Sequence, residues 1–261
     1  MLRNLLDHRR LILEFAKREL KTRYTGSVAG FAWHVLNPIF LLTIYTLVFS
    51  QIMSARVPGI TSTLAYTVYL CSGLLPWIAF QESISRSTSA FVENANLIKK
   101  IYVPEEIFVA NVVVSSTLNL LTQLVVFLLL AAFAGFFPGV ALVYLLLLIL
   151  AQQAFAFGIG LTFAAANLFF RDVTHIAGMV LQAWFWMTPI VYLVDIVPER
   201  FVPWLAVNPM YHVTEGYHRI VIHGQAPSPG QWMVAISVAA ASLVFSSLVL
   251  NKLRTDIRDE V

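Results

Sequence analysis

Six apolar runs dominate the chain: Phe31–Met53, Leu64–Phe80, Ile107–Ala134, Val140–Phe163, Val173–Val194 and Met233–Leu250. A helix needs about 20 apolar residues to cross the hydrocarbon core of a bilayer. The pattern therefore predicts an all-α integral membrane protein, with one transmembrane domain of six spans over residues 1–261. Only Gly-Phe-Phe-Pro-Gly, residues 135–139, separates the third run from the fourth, which predicts a tight hairpin. Asn167–Asp172 separates the fourth from the fifth.

The flanking segments follow other rules. Over residues 1–24, Leu2, Leu5, Leu6, Ile12, Leu13, Ala16 and Leu20 fall on one arc at 100° per residue. Arg3, Asp7, Arg10, Glu14, Lys17, Arg18 and Lys21 fall on the opposite arc. That is a basic amphipathic helix lying in the membrane interface. Between the fifth and sixth runs, residues 195–230 carry Pro198, Pro203, Pro209, Pro227 and Pro229 and are too polar to span. Asn208 as N-cap, Pro209 at the first helical position and Gly224 just past the end predict a helix there. These outer-face helices are expected to sit at the membrane surface or to re-enter it, which irregular backbone does only against protein or a wet cavity.

Composition agrees. Hydrophobic residues make up 59% of the chain and charged residues 12%, against about 25% charged in soluble domains. Of the 17 Lys and Arg, only Arg56, Arg200 and Arg219 fall outside if the N-terminus is inside. Both termini are thus expected in the cytoplasm, with the other fourteen basic residues. This scatter along span flanks, rather than one patch, argues against nucleic acid as a partner. Cys71 lies alone in an apolar run and reads as an inert buried thiol. No apolar core followed by a small-residue cleavage site opens the chain, so a cleaved leader is not expected.

Absences narrow the function. None of the 14 acidic residues falls mid-span, which disfavours a proton- or sodium-coupled carrier. No GxxxxGK[ST] motif is present to cradle ATP phosphates. No metal-ligand spacing or catalytic triad order stands out, and no cofactor is expected on this chain. His212 and His218 read as satisfied interfacial histidines. Aromatics form 13% of the chain and mostly suit the interfacial belt. In Gln182–Tyr192, however, Trp184, Phe185, Trp186 and Tyr192 cannot all meet headgroups at one level. With Tyr45 they are candidates for a ring-lined pathway along which a sugar chain slides.

One stretch stands apart. Asn94–Glu106, sequence NANLIKKIYVPEE, is a compact charged turn between two apolar runs. Positive charge on an inner loop is an orientation signal by default. Here Pro104 and the acids after it also start the third helix well. The residues before them can form a short helix carrying both apolar and cationic groups. Residues 88–103 thus read as a docking surface for a soluble partner, with Asn94, Asn96, Leu97, Ile98, Lys99 and Lys100 at its centre.

Taken in order, five stretches resemble the membrane permeases of ABC type-2 exporters for bacterial surface polysaccharides such as O-antigen, teichoic acid and capsule. They are RYTGSVAGFAWHVLNPI at Arg23–Ile39, GLLPWIAF at Gly73–Phe80, NLIKKIYVP at Asn96–Pro104, FFRDV at Phe169–Val173 and NPMYHVTEGYHRI at Asn208–Ile220. The resemblance is closest to O-antigen export permeases. It implies a multi-pass protein of the bacterial inner membrane, working as a homodimer with two copies of a separate ATPase that binds the ATP and magnesium. It implies that the turn at Asn94–Lys100 is the coupling helix seated on that ATPase. The cargo it implies is a glycan on a polyprenyl-diphosphate lipid, or on a lipid anchor, whose charge Arg9, Arg10, Lys17, Lys21 and Arg23 would attract. Two further readings compete: an ABC type-2 permease for a small hydrophobic drug or lipid, and a membrane glycan-lipid transferase. The transferase needs a catalytic carboxylate pair or metal site that the acids do not form.

Overall fold

The computed structural model describes residues 1–23, 32–48, 64–100 and 103–260. Among these residues it is helical, with no strand. Eleven α-helices appear there: α1 Leu2–Asp7, α2 Arg9–Arg23, α3 Trp33–Tyr45, α4 Ala65–Glu93, α5 Ala95–Lys100, α6 Glu106–Phe133, α7 Leu142–Phe169, α8 Val173–Trp186, α9 Val202–Val207, α10 Pro209–His223 and α11 Pro229–Glu260. By length and apolar composition α6, α7 with the short turn before it, and α11 can each cross a membrane.

These elements pack as one bundle around three apolar clusters. The largest joins α4, α6, α7, α8, α10 and α11 through Trp77, Phe80, Phe127, Leu148, Phe155 and Tyr217. A second, at one end, gathers Ile12, Phe91, Ile98, Ile107, Leu161, Leu250 and Ile257. The third, at the other end, sets Tyr66, Tyr69 and Leu70 against Tyr45, Val191 and Ile222. Helix α7 lies between α4 and α11 because two glycines let the backbones close. A Cβ on Gly158 would come within 2.5 Å of the Ser242 backbone, and one on Gly160 within 2.6 Å of Ser87 Cβ. Where lipid replaces water, such close packing substitutes for hydrophobic drive.

Several expectations fit. The α6–α7 hairpin turns through Gly135 and Gly139, whose φ values of 89° and 55° suit a residue without Cβ. Helix α10 runs between its predicted signals: the Asn208 side chain accepts from the Met210 amide at 3.0 Å, and Gly224 is left-handed.

Others are corrected. The N-terminal segment is two helices, not one, broken at His8. Its buried stripe is Ile12 and Ala16 on α6, while Leu6 and Leu13 are exposed. The second run does not end at Phe80, because α4 continues to Glu93. Its later residues are polar, but Ser83, Ser87 and Thr88 are buried, the two serines against α7. Ser83 Oγ donates to Gln153 Oε1 at 2.9 Å, and Gln152 donates to the Pro76 carbonyl at 2.7 Å. Helices α7 and α11 likewise outrun Phe163 and Leu250.

The fifth run ends early. Helix α8 stops at Trp186, and its 14 residues reach about 21 Å against about 30 Å of hydrocarbon. Pro189 cannot continue the helix, and Asn208 takes over the freed groups, donating to the Met187 carbonyl and to Thr188 Oγ1. Residues 31 and 49–53 of the first run, with Tyr24–Gly30 and Ile101–Tyr102 of the quoted motifs, lie outside the described residues. His212 is satisfied by the Ala206 carbonyl at 2.8 Å. His218 is buried and stacked on Tyr69 at 3.8 Å between ring centroids.

The glycine packing is directly testable. Gly158→Leu should shift the solubilised protein toward aggregates on size exclusion, since overpacking of a tight core costs about 1–3 kcal/mol or more. Gly178→Leu on α8, where no atom lies within 4 Å of an added Cβ, should elute unchanged. Equal behaviour of the two variants contradicts the packing account.

Candidate functional site

The charged turn folds as a separate short helix. Helix α4 ends at Glu93, and Asn94 turns the chain. Its side chain donates to the Ala90 carbonyl at 2.8 Å, and its own carbonyl accepts from the Leu97 and Ile98 amides at 2.9 and 3.0 Å. Six residues of α5 follow. Their faces divide by chemistry: Ile98 is buried in the cluster at that end of the bundle, while Asn96, Leu97, Lys99 and Lys100 are exposed. Of the six residues singled out from sequence, four therefore present a mixed cationic and apolar surface. Asn94 shapes the turn and Ile98 fastens it.

Directly after this turn lies a buried ionic knot that sequence reading missed. Pro104 leads into α6, and Glu105 and Glu106 are both fully buried. Arg254, near the end of α11, places Nε 3.6 Å from Glu105 Oε2 and Nη2 3.0 Å from Glu106 Oε2. Asn4 of α1 donates to Glu106 Oε1 at 2.9 Å. The first and last helices thus meet at the end that carries α5. A second polar cluster ties α2 to the bundle. Arg86 of α4 pairs with Glu19 and, at 3.4 Å, with Glu82. Asn111 and Ser115 of α6 donate to Glu19 at 3.1 and 3.2 Å, and Asn119 donates to Glu82 at 3.5 Å. Only acids placed near basic residues at the predicted span ends hinted at these pairings, and sequence distance hid the partners.

The basic residues of the N-terminal helices are placed as follows. Arg9, Arg10 and Lys17 are exposed, with Arg9 and Arg10 beside Leu6 and Asp7 in a shallow depression. Lys21 and Arg23 lie on the last turn of α2, and their side chains are outside the described residues.

The aromatic candidates divide between two environments. Trp184 turns into the chain's own core, edge-on to Trp77, Phe80 and Phe155 at 5.6–6.2 Å. Its indole N–H donates to Asn208 Oδ1 at 2.8 Å. Phe185 also packs on Trp77, at 5.8 Å. Trp186, by contrast, is 60% exposed. The Tyr192 hydroxyl donates to the Trp186 carbonyl at 3.0 Å, folding residues 187–193 back over the end of α8. Tyr66 and Tyr69 hold this turn by donating to carbonyls of Val191, Pro189 and Tyr192. Tyr45 packs on the same tyrosine pair from α3. The structure therefore brings Tyr45, Trp186 and Tyr192 to one end of the bundle, opposite α5, and sets Trp184 and Phe185 deeper. Among the described residues no three His, Cys, Asp or Glu side chains come close enough to hold a metal ion.

Known proteins share this sequence over most of its length. A permease protein of an O-antigen export system, RfbA of Myxococcus xanthus, is 29% identical over 263 residues, 100% of this chain and 99% of its own. The RfbA permease protein of Klebsiella pneumoniae is 30% identical across 82% of this chain and 81% of its own. The polysialic acid transport protein KpsM of Escherichia coli is 23% identical across 92% of this chain and 91% of its own. The profile of the ABC-2 type transporter family matches residues 10–222, from Arg10 of α2, through α5 and the buried carboxylates after it, to the last residues of α10. On that match, with an all-helical apolar bundle beneath it, the chain belongs to the ABC-2 type transporter membrane family.

Proposed function

We propose that this chain is the permease subunit of an ATP-driven exporter that carries a lipid-linked surface polysaccharide outward across the bacterial inner membrane. Two copies form the pathway, and two copies of a separate cytoplasmic ATPase supply the work, binding the ATP and magnesium themselves. The observation that carries this reading is α5. It is a short exposed helix with two lysines, anchored by Ile98 into a bundle whose chain has no phosphate-cradling motif of its own. A membrane protein so built takes in work by contact. The export and transport functions in the relatives' names point to glycan as cargo.

The remaining geometry supports this reading. Positive charge on α5 and on the N-terminal helices fits a cytoplasmic position for both. Arg9, Arg10 and Lys17 are exposed, and Lys21 and Arg23 follow them in the sequence of the same helix, so on this reading the segment lies at the headgroup level. Each basic residue near an anionic surface contributes about 1 kcal/mol, so together they concentrate a diphosphate headgroup at the entrance. At the far end, Trp186 and Tyr192 with Tyr45 offer ring faces that a sugar chain touches and leaves. Trp184 and Phe185 hold that end in shape from behind.

Reversing the charge of α5 tests the docking surface. Lys99→Glu with Lys100→Glu should leave insertion intact and weaken ATPase association at least about tenfold, or about 1.4 kcal/mol, with export falling in step. Undiminished association and export in that variant contradict the reading. For the pathway, Trp186→Ala should lower surface glycan without changing the melting temperature, because the ring is exposed. Trp184→Ala should instead destabilise the subunit, as loss of a packed aromatic costs about 3–5 kcal/mol. Normal glycan with Trp186→Ala returns that ring to the interfacial belt.

A further inference from the structure

The knot at the start of α6 is built of charge where apolar contact would have served. Glu105 and Glu106 follow Pro104 in consecutive positions, both with side chains 0% exposed. Burying carboxylates is unfavourable unless they are paired, and well-packed apolar groups often hold helices as tightly. Charge adds direction: an ion pair with hydrogen bonds fixes one geometry, whereas apolar surfaces slide. The guanidinium of Arg254 supplies that direction through Nη2, which donates to Glu106 Oε2 at 3.0 Å, while its Nε lies 3.6 Å from Glu105 Oε2 as a charge contact without a hydrogen bond. Asn4 occupies the second oxygen of Glu106. Ile98 of α5, Ile107 of α6, and Leu250 and Ile257 of α11 belong to one apolar cluster around it. Four pieces of chain, α1, α5, the start of α6 and the end of α11, are thereby fixed to one another.

We propose that Arg254 is a positioning residue for transport: it clamps the start of α6 to α11, so that a push on α5 moves both helices together. This inference rests on α5 being the ATPase docking surface. Without the clamp, motion of α5 tilts α6 alone and α11 stays behind. Hydrolysis then continues but moves little cargo. The readout is therefore a ratio rather than a rate. A merely structural role lowers the amount of working complex, and with it hydrolysis and export in equal proportion.

The experiment compares surface glycan on cells that depend on this chain with ATP hydrolysis by the full complex purified from the same cells. With Arg254→Ala, the ATPase should co-purify and hydrolysis stay within about twofold, while glycan per ATP falls at least about tenfold, within the usual range of a coupling energy. Arg254→Lys, which still places a cation between the carboxylates, should recover most of that loss. An unchanged ratio in Arg254→Ala overturns the proposal, as does a parallel fall of both quantities. Should Arg254→Ala fail to insert, Glu106→Gln decides, since it keeps the shape and removes the charge: a tenfold lower ratio sustains the clamp, and an unchanged one overturns it. Failure of the docking reading shows elsewhere, as ATPase association that survives charge reversal at Lys99 and Lys100.

Discussion

Two carboxylates buried side by side at the start of α6 set the terms for the α5 end of this molecule. Arg254 and Asn4 arrive from opposite ends of the chain to meet Glu105 and Glu106. A buried carboxylate without a partner is unfavourable, and the partly exposed Arg254 supplies that partner from the rim. The pairing therefore holds α1, α6 and α11 in a single arrangement. Helix α5 is attached to that arrangement on both sides, by Asn94 at the end of α4 and by Ile98 in the shared apolar cluster. On the proposed reading, a short helix so mounted passes a push to the helices that hold it. This is the property that the proposed function requires of it.

The two ends of the bundle are held by different chemistry. At the α5 end the cross-links are ionic, and the Glu19–Arg86–Glu82 cluster adds α2 and α4 to the same frame. At the other end tyrosine hydroxyls reach backbone carbonyls of residues 189–192, and Asn208 joins the end of α8 to the start of α10. Neutral hydrogen bonds are about half as strong as charge-assisted ones. The tyrosine-held turn is thus the easier of the two to rearrange. On the proposed reading that suits a mouth which opens as glycan leaves, while the driven end stays stiff.

Much of the fold was legible in the chain. Helix α6 was bounded by Pro104 and the glycine hairpin, and α10 by Asn208 and Gly224, because local capping chemistry sets those limits. The second run was cut at Phe80 because hydropathy drops at Gln81. Its continuation depends on Ser83 donating to Gln153 and Ser87 packing at Gly160, both on α7, while Thr88 bonds back to the Ile84 carbonyl of its own helix; no window along the chain contains the α7 partners. The fifth run was drawn too long for the reverse reason: its hydropathy persists past Pro189 while its backbone does not. The charged turn was legible as an excess of charge and polarity. Its mount was not, since Glu106 lies 102 residues from Asn4 and 148 from Arg254. Trp184 and Trp186 looked alike in sequence, and only the direction of α8 separates the partly buried, core-packed ring from the exposed one.

The central claim is that this bundle does no chemical work and moves cargo only when pushed at α5. Reconstitution in sealed vesicles, with lipid-linked glycan loaded on the α5 side and ATP supplied there, measures this most directly. With the ATPase subunit present, glycan should appear on the far side in proportion to ATP consumed; with the chain alone, it should remain where it was loaded. Sustained, ATP-dependent movement of glycan by the chain alone would contradict the account.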